Sequence, residues 1–107
     1  MKIKCHCGRM ILDGGDASPS KGHVVPDQAW SHLFEQVDEL IETGCNTREQ
    51  RDVALMKIRT LFSAAARQVW HCVGCGRLFL DGPDGVLHCY RPERGDGVVR
   101  VLQQGAL

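Results

Sequence analysis

The segment CGRLFLDGPD at residues 75–84 repeats the segment CGRMILDGGD at residues 7–16, and seven of the ten positions are identical. Each copy begins at a cysteine and has a second cysteine just upstream, in the patterns C-x-x-C and C-x-C respectively. Two close cysteine pairs, each followed by a short apolar strand and an Asp-Gly turn, are typical of a four-cysteine zinc site, because tetrahedral zinc binds four thiolates. The sequence therefore predicts one structural zinc ion, bound by Cys5, Cys7, Cys72 and Cys75.

The two cysteine turns do not support this site equally. In the second turn, Gly74 and Gly76 favour a tight backbone path around a metal, and Arg77 adds positive charge. That charge would lie beside a zinc and four thiolates, whose charges sum to about −2. The first turn has C-x-C spacing in place of the usual C-x-x-C, so its ligand set stays open. The other candidate ligands are His6 in place of Cys5 or Cys7, His71 in place of Cys72, and Cys89 in reserve.

Composition favours a metal site over disulfides. The 107 residues suit a single domain with a modest core, and the 13 basic and 13 acidic side chains give zero formal net charge. The N-terminal residues are polar, and no apolar run approaches the ~20 residues of a membrane span. We therefore expect a cytoplasmic protein with reduced cysteines. Disulfides or scattered core cysteines are the alternative, and Cys45 and Cys89 are interpreted as ordinary buried or half-buried thiols.

An amphipathic helix is predicted over residues 27–43. Its apolar side chains recur at i, i+3, i+4 and i+7 spacing. Asp27 is the expected N-cap, and Gly44 is expected at the C-cap. The opposite face contains no Lys or Arg. Its acidic residues are Glu35, Asp38, Glu39 and Glu42.

A second helix is predicted over residues 48–69. Thr47 and Gln50 have the spacing of a capping box, and an apolar stripe runs from Ala54 to Val69. The exposed face of this helix is expected to be basic. Its basic residues are Arg48, Arg51, Lys57, Arg59 and Arg67.

These elements predict an α+β fold with one zinc-stabilised domain over residues 1–107. The two chain ends would form a small antiparallel zinc-ribbon-like sheet, and the antiparallel helices would be an insertion over about residues 27–69. Segment 13–25 is expected to be a flexible surface loop because of its Gly, Ser and Pro content. In the tail, 91–107, residues 98–102 would either add an edge strand or be disordered. Strands are expected near residues 2–4, 9–12, 69–72, 77–81 and 86–90.

The sequence does not favour catalysis. Four cysteine ligands fill a tetrahedral shell and leave no position for water, unlike catalytic zinc sites. The repeated aspartates, Asp13 with Asp81 and Asp16 with Asp84, lie in the Asp-Gly turn segments, where turn chemistry accounts for them. The five histidines do not have the spacing of a second metal site. We therefore expect a non-enzymatic protein with no small-molecule substrate.

Two binding functions remain. Protein binding is favoured by the segregation of charge, since an acidic helix face can steer a basic partner. Nucleic-acid binding by a zinc-ribbon regulator is the alternative, supported by Arg9, Arg77 and the basic helix face. Zero net charge and few aromatic residues count against that alternative. The simplest interpretation of both helix faces is that they pair with each other or face water.

Three motifs give the chain a wider resemblance. They are K-C-x-C-G-x-x-I/L-x-D at residues 4–13, G-H-V/I-V/I-P-D-x-x-W at 22–30, and C-x-x-C-G-R-L-F-L-D-x-x-D-G at 72–85. This layout resembles a group of small, mostly uncharacterised bacterial proteins over about the first 90 residues. Small proteins with an acidic helix are similar to cytoplasmic immunity proteins, which bind and block a cognate toxin. The resemblance implies a protein partner such as a toxin, although the zero net charge departs from the strongly acidic type that blocks nucleases.

Overall fold

The computed structural model describes residues 2–14, 18–94 and 100–104, which form two helices and six strands. The predicted α+β class is confirmed. In chain order the elements are β1 (Lys2–Lys4), β2 (Met10–Leu12), β3 (Lys21–Val24), α1 (Asp27–Gly44), α2 (Arg48–Ala65), β4 (Arg67–His71), β5 (Leu78–Asp81) and β6 (Leu87–Tyr90).

The strands form two sheets, whereas the sequence predicts one. In the first sheet β1 and β2 are antiparallel, with Ile3 opposite Ile11. The second sheet has the order β3-β4-β5-β6, and Trp70 in β4 lies opposite Phe79 in β5. Strands β2 and β5 begin at the same position in the two copies of the repeated decapeptide. Each pairs with the strand that precedes its own cysteine turn, so the repeat produces two similar hairpins.

The chain divides into two compact units. The first contains Met1–His23 and Gln68–Leu107, and the second contains Val24–Arg67. The second unit corresponds to the predicted helical insertion. That the whole chain behaves as one domain stays a prediction.

The core of the first unit is built from both sheets. Successive side chains in a strand point to opposite faces, so in the three-residue strands β1 and β2 only the middle side chain is buried. Ile11 in β2 and Phe79 in β5 hold the same position of the two decapeptides, and both are buried. Trp70 is only 2% exposed. The buried core cluster of this unit comprises Ile3, Cys5, Ile11, Trp70, Cys72 and Phe79, with Cys75 and Leu87 packed against it.

The prediction of a loop over residues 13–25 is wrong for its last part, because Lys21–Val24 form β3. This strand lies next to β4, and a bond of 2.8 Å from the His71 N–H to the Ser20 carbonyl oxygen lies at its start. A side chain at Gly22 would meet Val69 of β4 at 3.3 Å, so the missing Cβ permits close packing there. Pairing with β4 therefore makes Lys21–Val24 a strand, although the composition of this segment favours a turn. Residues 15–17 of the predicted loop lie outside the described residues.

Helix α1 begins where the sequence predicts, but its cap is one residue earlier. Pro26 is the N-cap, with extended backbone angles and no side-chain cap bond. Asp27 is therefore the first helical residue, where a carboxylate interacts favourably with the helix dipole. Gly44 is the last helical residue, and Cys45 occupies the C-cap.

Helix α2 begins with the predicted capping box. Thr47 Oγ1 accepts a hydrogen bond from the Gln50 N–H (3.1 Å), and Gln50 Oε1 accepts one from the Thr47 N–H (3.3 Å). The helix ends at Ala65, because Ala66 is extended with φ −89° and ψ 148°. No Gly or Pro marks this end. The apolar periodicity continues past it, so the predicted C-terminus of the helix, residue 69, lies four residues too late. Arg67 and Val69, which were predicted on this helix, belong to β4.

The C-terminal tail is described only in part. Residues 98 and 99 of the predicted edge strand lie outside the described residues. Residues 100–103 form a turn instead of a strand, with a bond of 3.1 Å from the Gln103 N–H to the Arg100 carbonyl oxygen. Leu102 lies beside Gly22 of β3, so this turn packs against the first unit.

Candidate metal centre

Each cysteine pair lies on a tight turn between the two strands of a hairpin. In the first turn, the Cys5 N–H donates to the Arg9 carbonyl oxygen (2.8 Å), and the Gly8 N–H donates to the Cys5 carbonyl oxygen (2.9 Å). The second turn repeats this pattern although it is one residue longer. Its equivalent bonds run from the Cys72 N–H to the Arg77 oxygen (2.9 Å) and from the Gly76 N–H to the Cys72 oxygen (2.8 Å).

A glycine after the second cysteine allows both turns to close. Gly8 has φ +94° and Gly76 has φ +83°, in the left-handed region that glycine adopts at little cost. The shorter C-x-C turn therefore returns the chain to its partner strand as the C-x-x-C turn does. Its unusual spacing does not prevent the first cysteine pair from facing the second.

The four sulfur atoms form a compact cluster. All lie within 4.8 Å of one another. Cys5 Sγ is 3.4 Å from Cys75 Sγ, and Cys7 Sγ is 3.6 Å from Cys72 Sγ. Sulfur atoms at about 2.3 Å from a tetrahedral zinc are about 3.8 Å from each other. The four cysteines are thus positioned to hold a metal ion of this size.

The surroundings of the thiols push their pKa values in opposite directions. Burial raises the pKa of Cys5 to about 12. Burial also acts to raise the pKa of Cys75, but the backbone N–H and the guanidinium of Arg77 outweigh it and lower this pKa to about 6. The Arg77 Nη1 donates to Cys75 Sγ at 3.2 Å. The Cys75 thiol therefore ionises more readily than the Cys5 thiol, whose proton a bound metal would have to displace.

The other candidate ligands lie outside the cluster. His6 stacks on the ring of Phe79, with centroids 6.3 Å apart. His71 is buried, and its Nδ1 has no hydrogen-bond partner among the described residues. Cys45 is half-buried, as expected, but Cys89 is exposed on β6, so the expectation of burial is wrong for Cys89.

Comparison with known proteins identifies a family for this chain but gives no function. Residues 1–94 match a family described as a domain of unknown function, DUF8617. The chain belongs to this family. The DUF8617 match spans both cysteine turns, both helices and the six strands described above. No curated protein and no solved structure matches the chain. Its function therefore has to be argued from its own residues.

Two aspartates of the repeated decapeptide, Asp13 and Asp84, make local contacts. Asp84 Oδ1 accepts a bond of 3.0 Å from the Val86 N–H, which lowers the pKa of Asp84. Asp13 pairs with Lys21 of β3 at 2.8 Å, and this bond lowers the pKa of Asp13. The two carboxylates thus fix the segments that follow β2 and β5. Asp16 lies outside the described residues.

The charged helix faces are exposed in the second unit. Glu35, Asp38, Glu39 and Glu42 of α1 are all exposed, as are the four basic residues of α2. Within the described part of this unit, the ion pair present joins His32 to Glu35 of the same helix at 3.9 Å. Among the described residues, the acidic face of α1 and the basic face of α2 therefore form no ion pairs with each other. Neither helix is long and apolar enough to cross a membrane.

Replacing Gly8 with alanine tests how much the first turn depends on its left-handed glycine. No atom lies within 4 Å of the added Cβ, so backbone strain should act alone. We expect the free energy of unfolding to fall by about 1–2 kcal/mol. Gly14→Ala is the matched control, because that site is equally open but has no positive φ. Denaturant unfolding of both variants gives the comparison, and equal stabilities would contradict the role assigned to Gly8.

Proposed function

We propose that this chain is a non-catalytic zinc-binding protein of the zinc-ribbon type. One structural zinc would be held by Cys5, Cys7, Cys72 and Cys75. The observation that carries the proposal is the cluster of four sulfur atoms within 4.8 Å, supplied by two similar turns. An all-sulfur tetrahedral set suits zinc or iron, and hard cations such as magnesium prefer oxygen. Zinc is the proposed metal because four cysteines on paired turns are typical of structural zinc sites.

A structural role follows from the donor set. Four thiolates complete the tetrahedral shell, so no coordination position remains for water or substrate. The sulfur pairs join residues 70 and 65 positions apart in the chain. Closing such long loops restricts the unfolded chain strongly, so the binding energy of the metal becomes folding energy. The first unit, whose core includes Cys5 and Cys72, would gain most from this closure.

We further propose that the folded chain binds another protein in the cytoplasm. The support is the exposed acidic face of α1, whose carboxylates have no basic partner on α2 among the described residues. A toxin carrying a basic surface is the partner class that the sequence resemblance suggests. Reversing Glu35 and Glu42 to lysine should abolish capture of such a partner without changing the melting curve. Undiminished capture would remove this face from the proposal.

Metal analysis of protein purified without added metal tests the zinc proposal. We expect one zinc per chain, and a strong chelator should remove both the zinc and the cooperative melting transition. Iron in place of zinc, or no metal, would contradict the proposal. A salt-sensitive shift of DNA or RNA by the same sample would instead favour the nucleic-acid alternative.

A further inference from the structure

The second unit exposes an apolar stripe that its two helices leave uncovered. Only Leu33 of α1 and Ala54 of α2 are fully buried in this unit. Trp30 and Phe34 are exposed although their rings form an edge-to-face contact with centroids 4.9 Å apart. The apolar stripe consists of Trp30, Phe34 and Ile41 of α1 with Leu55 and Phe62 of α2, and each of them is between 40% and 54% exposed.

All of these side chains lie on one side of the helical pair. Residues two positions apart in an α-helix are about 200° apart around its axis, and so face nearly opposite directions. Gln36 of α1 and Lys57 of α2 line a groove between the helices on one side. Phe34 and Leu55 are each two positions from these residues, so both belong to the other side. The same relation holds for Ile41 with Thr43 and for Phe62 with Ala64.

Opposite charges border the stripe on the two helices. Asp38 lies four residues after Phe34 in α1, and Arg59 lies four residues after Leu55 in α2. Positions four apart are neighbours on a helix surface, so both charged residues flank the apolar side chains in the same way. Over its length, α1 has five acidic residues and no Lys or Arg, whereas α2 has four basic and two acidic residues.

The charge distribution of the helical pair is self-complementary, because the acidic α1 of one copy can face the mainly basic α2 of another. A two-fold axis parallel to the helices would place α1 of one chain against α2 of a second chain, with acid facing base on both sides. A two-fold axis across the helices would instead place α1 against α1, with acid facing acid. Like charges in contact are costly, so the charges select the first arrangement. Zero formal net charge also means that two copies do not repel each other as whole molecules.

We propose that a second copy of this chain covers the apolar stripe, so that two helical pairs form an antiparallel four-helix bundle. The inference goes beyond the proposed function, because it concerns the helical unit and not the metal centre. Burial of the aromatic and aliphatic side chains supplies the affinity. The Asp38 and Arg59 pairs add little energy at the rim but fix the orientation. Glu35 and Glu42 lie further from the stripe and remain uncovered for the proposed partner.

Sedimentation equilibrium of the zinc-loaded 107-residue chain tests whether the apolar stripe mediates self-association. We expect a concentration-dependent dimer, and Leu55→Glu should raise its dissociation constant at least about tenfold. Val53→Glu is the matched control, because Val53 is 55% and Leu55 53% exposed on the same helix, but Val53 is on the groove side. This control should dimerise like the wild type. A monomeric wild type, or a dimer disrupted by Val53→Glu and not by Leu55→Glu, would overturn the inference.

A charge exchange tests the orientation. Asp38→Arg and Arg59→Asp should each weaken self-association, because each creates two like-charge contacts in the bundle. Mixing the two variants should restore a heterodimer with two opposite-charge contacts, detected by native mass spectrometry. No preference for the heterodimer would overturn the proposed arrangement. Zinc content is measured in every sample, so a monomer with full zinc contradicts this inference alone, and loss of zinc from the wild type contradicts the proposed function.

Discussion

Replacing Cys75 with serine is expected to remove stoichiometric zinc and the cooperative melting of the first unit. Cys75 Sγ lies 3.4 Å from Cys5 Sγ and accepts a bond from Arg77, so its loss breaks the cluster at a thiol whose pKa is lowered to about 6. Serine keeps the size of the side chain but does not ionise at neutral pH. Structural zinc contributes about 10–16 kcal/mol in zinc-finger peptides, whereas a whole domain is stable by about 5–15 kcal/mol. Losing the metal should therefore leave this unit unfolded.

Metal analysis measures the zinc content of Cys75→Ser, and circular dichroism measures its thermal melting. Cys89→Ser is the control, since Cys89 is also a thiol of the first unit but lies on an exposed strand outside the cluster. The control should keep one zinc and the wild-type melting temperature. Chelator should abolish the cooperative melting of the wild type and leave the melting curve of Cys75→Ser unchanged. A Cys75→Ser protein with wild-type zinc content and melting would refute the four-cysteine site.

Truncating Trp70 to alanine is expected to produce the second largest loss of stability. Trp70 is 2% exposed, lies opposite Phe79 in the sheet and belongs to the same core cluster as Cys5 and Cys72. Tryptophan-to-alanine changes in cores cost about 3–5 kcal/mol, because apolar burial is lost and a cavity remains. Thermal unfolding with metal present gives the measurement. The melting temperature should fall by about 4–8 °C for each kcal/mol lost from the free energy of unfolding.

Tyr90→Ala provides the comparison for this core position. Tyr90 is also an aromatic residue of the second sheet, but it is 57% exposed. Its truncation should change the free energy of unfolding by only about 0.5 kcal/mol. Equal losses for the two variants would show that the core of the first unit does not depend on Trp70.

The cluster of four cysteines was predictable because its signal is local and chemically specific. A cysteine pair followed by Gly and Arg constrains both the ligand and the turn, and the repeated decapeptide indicates two similar hairpins. The start of α2 was predictable for the same reason, since Thr47 and Gln50 satisfy each other within one turn. In both cases the sequence signal lies within a few residues, although the two cysteine turns themselves are 65 to 70 residues apart.

The features that sequence reasoning missed depend on distant neighbours. Lys21–Val24 is a strand because it lies beside β4, which is far away in the chain. The end of α2 carries no Gly or Pro, so nothing local separates it from β4. Periodicity marked the apolar side of each helix correctly, but it does not report what covers that side. Phe34 and Phe62, for example, belong to these apolar sides, yet both are exposed.

The spacing of the two cysteine turns also orders events during synthesis. Cys7 leaves the ribosome 65 residues before Cys72, which corresponds to several seconds at about 5–20 residues per second. The intervening helices need only local contacts and can form within that interval. Two of the four clustered cysteines therefore remain without the other two until the second cysteine turn emerges. A ribosome that stalls before residue 72 would display a lone pair of thiols to competing metals and oxidants.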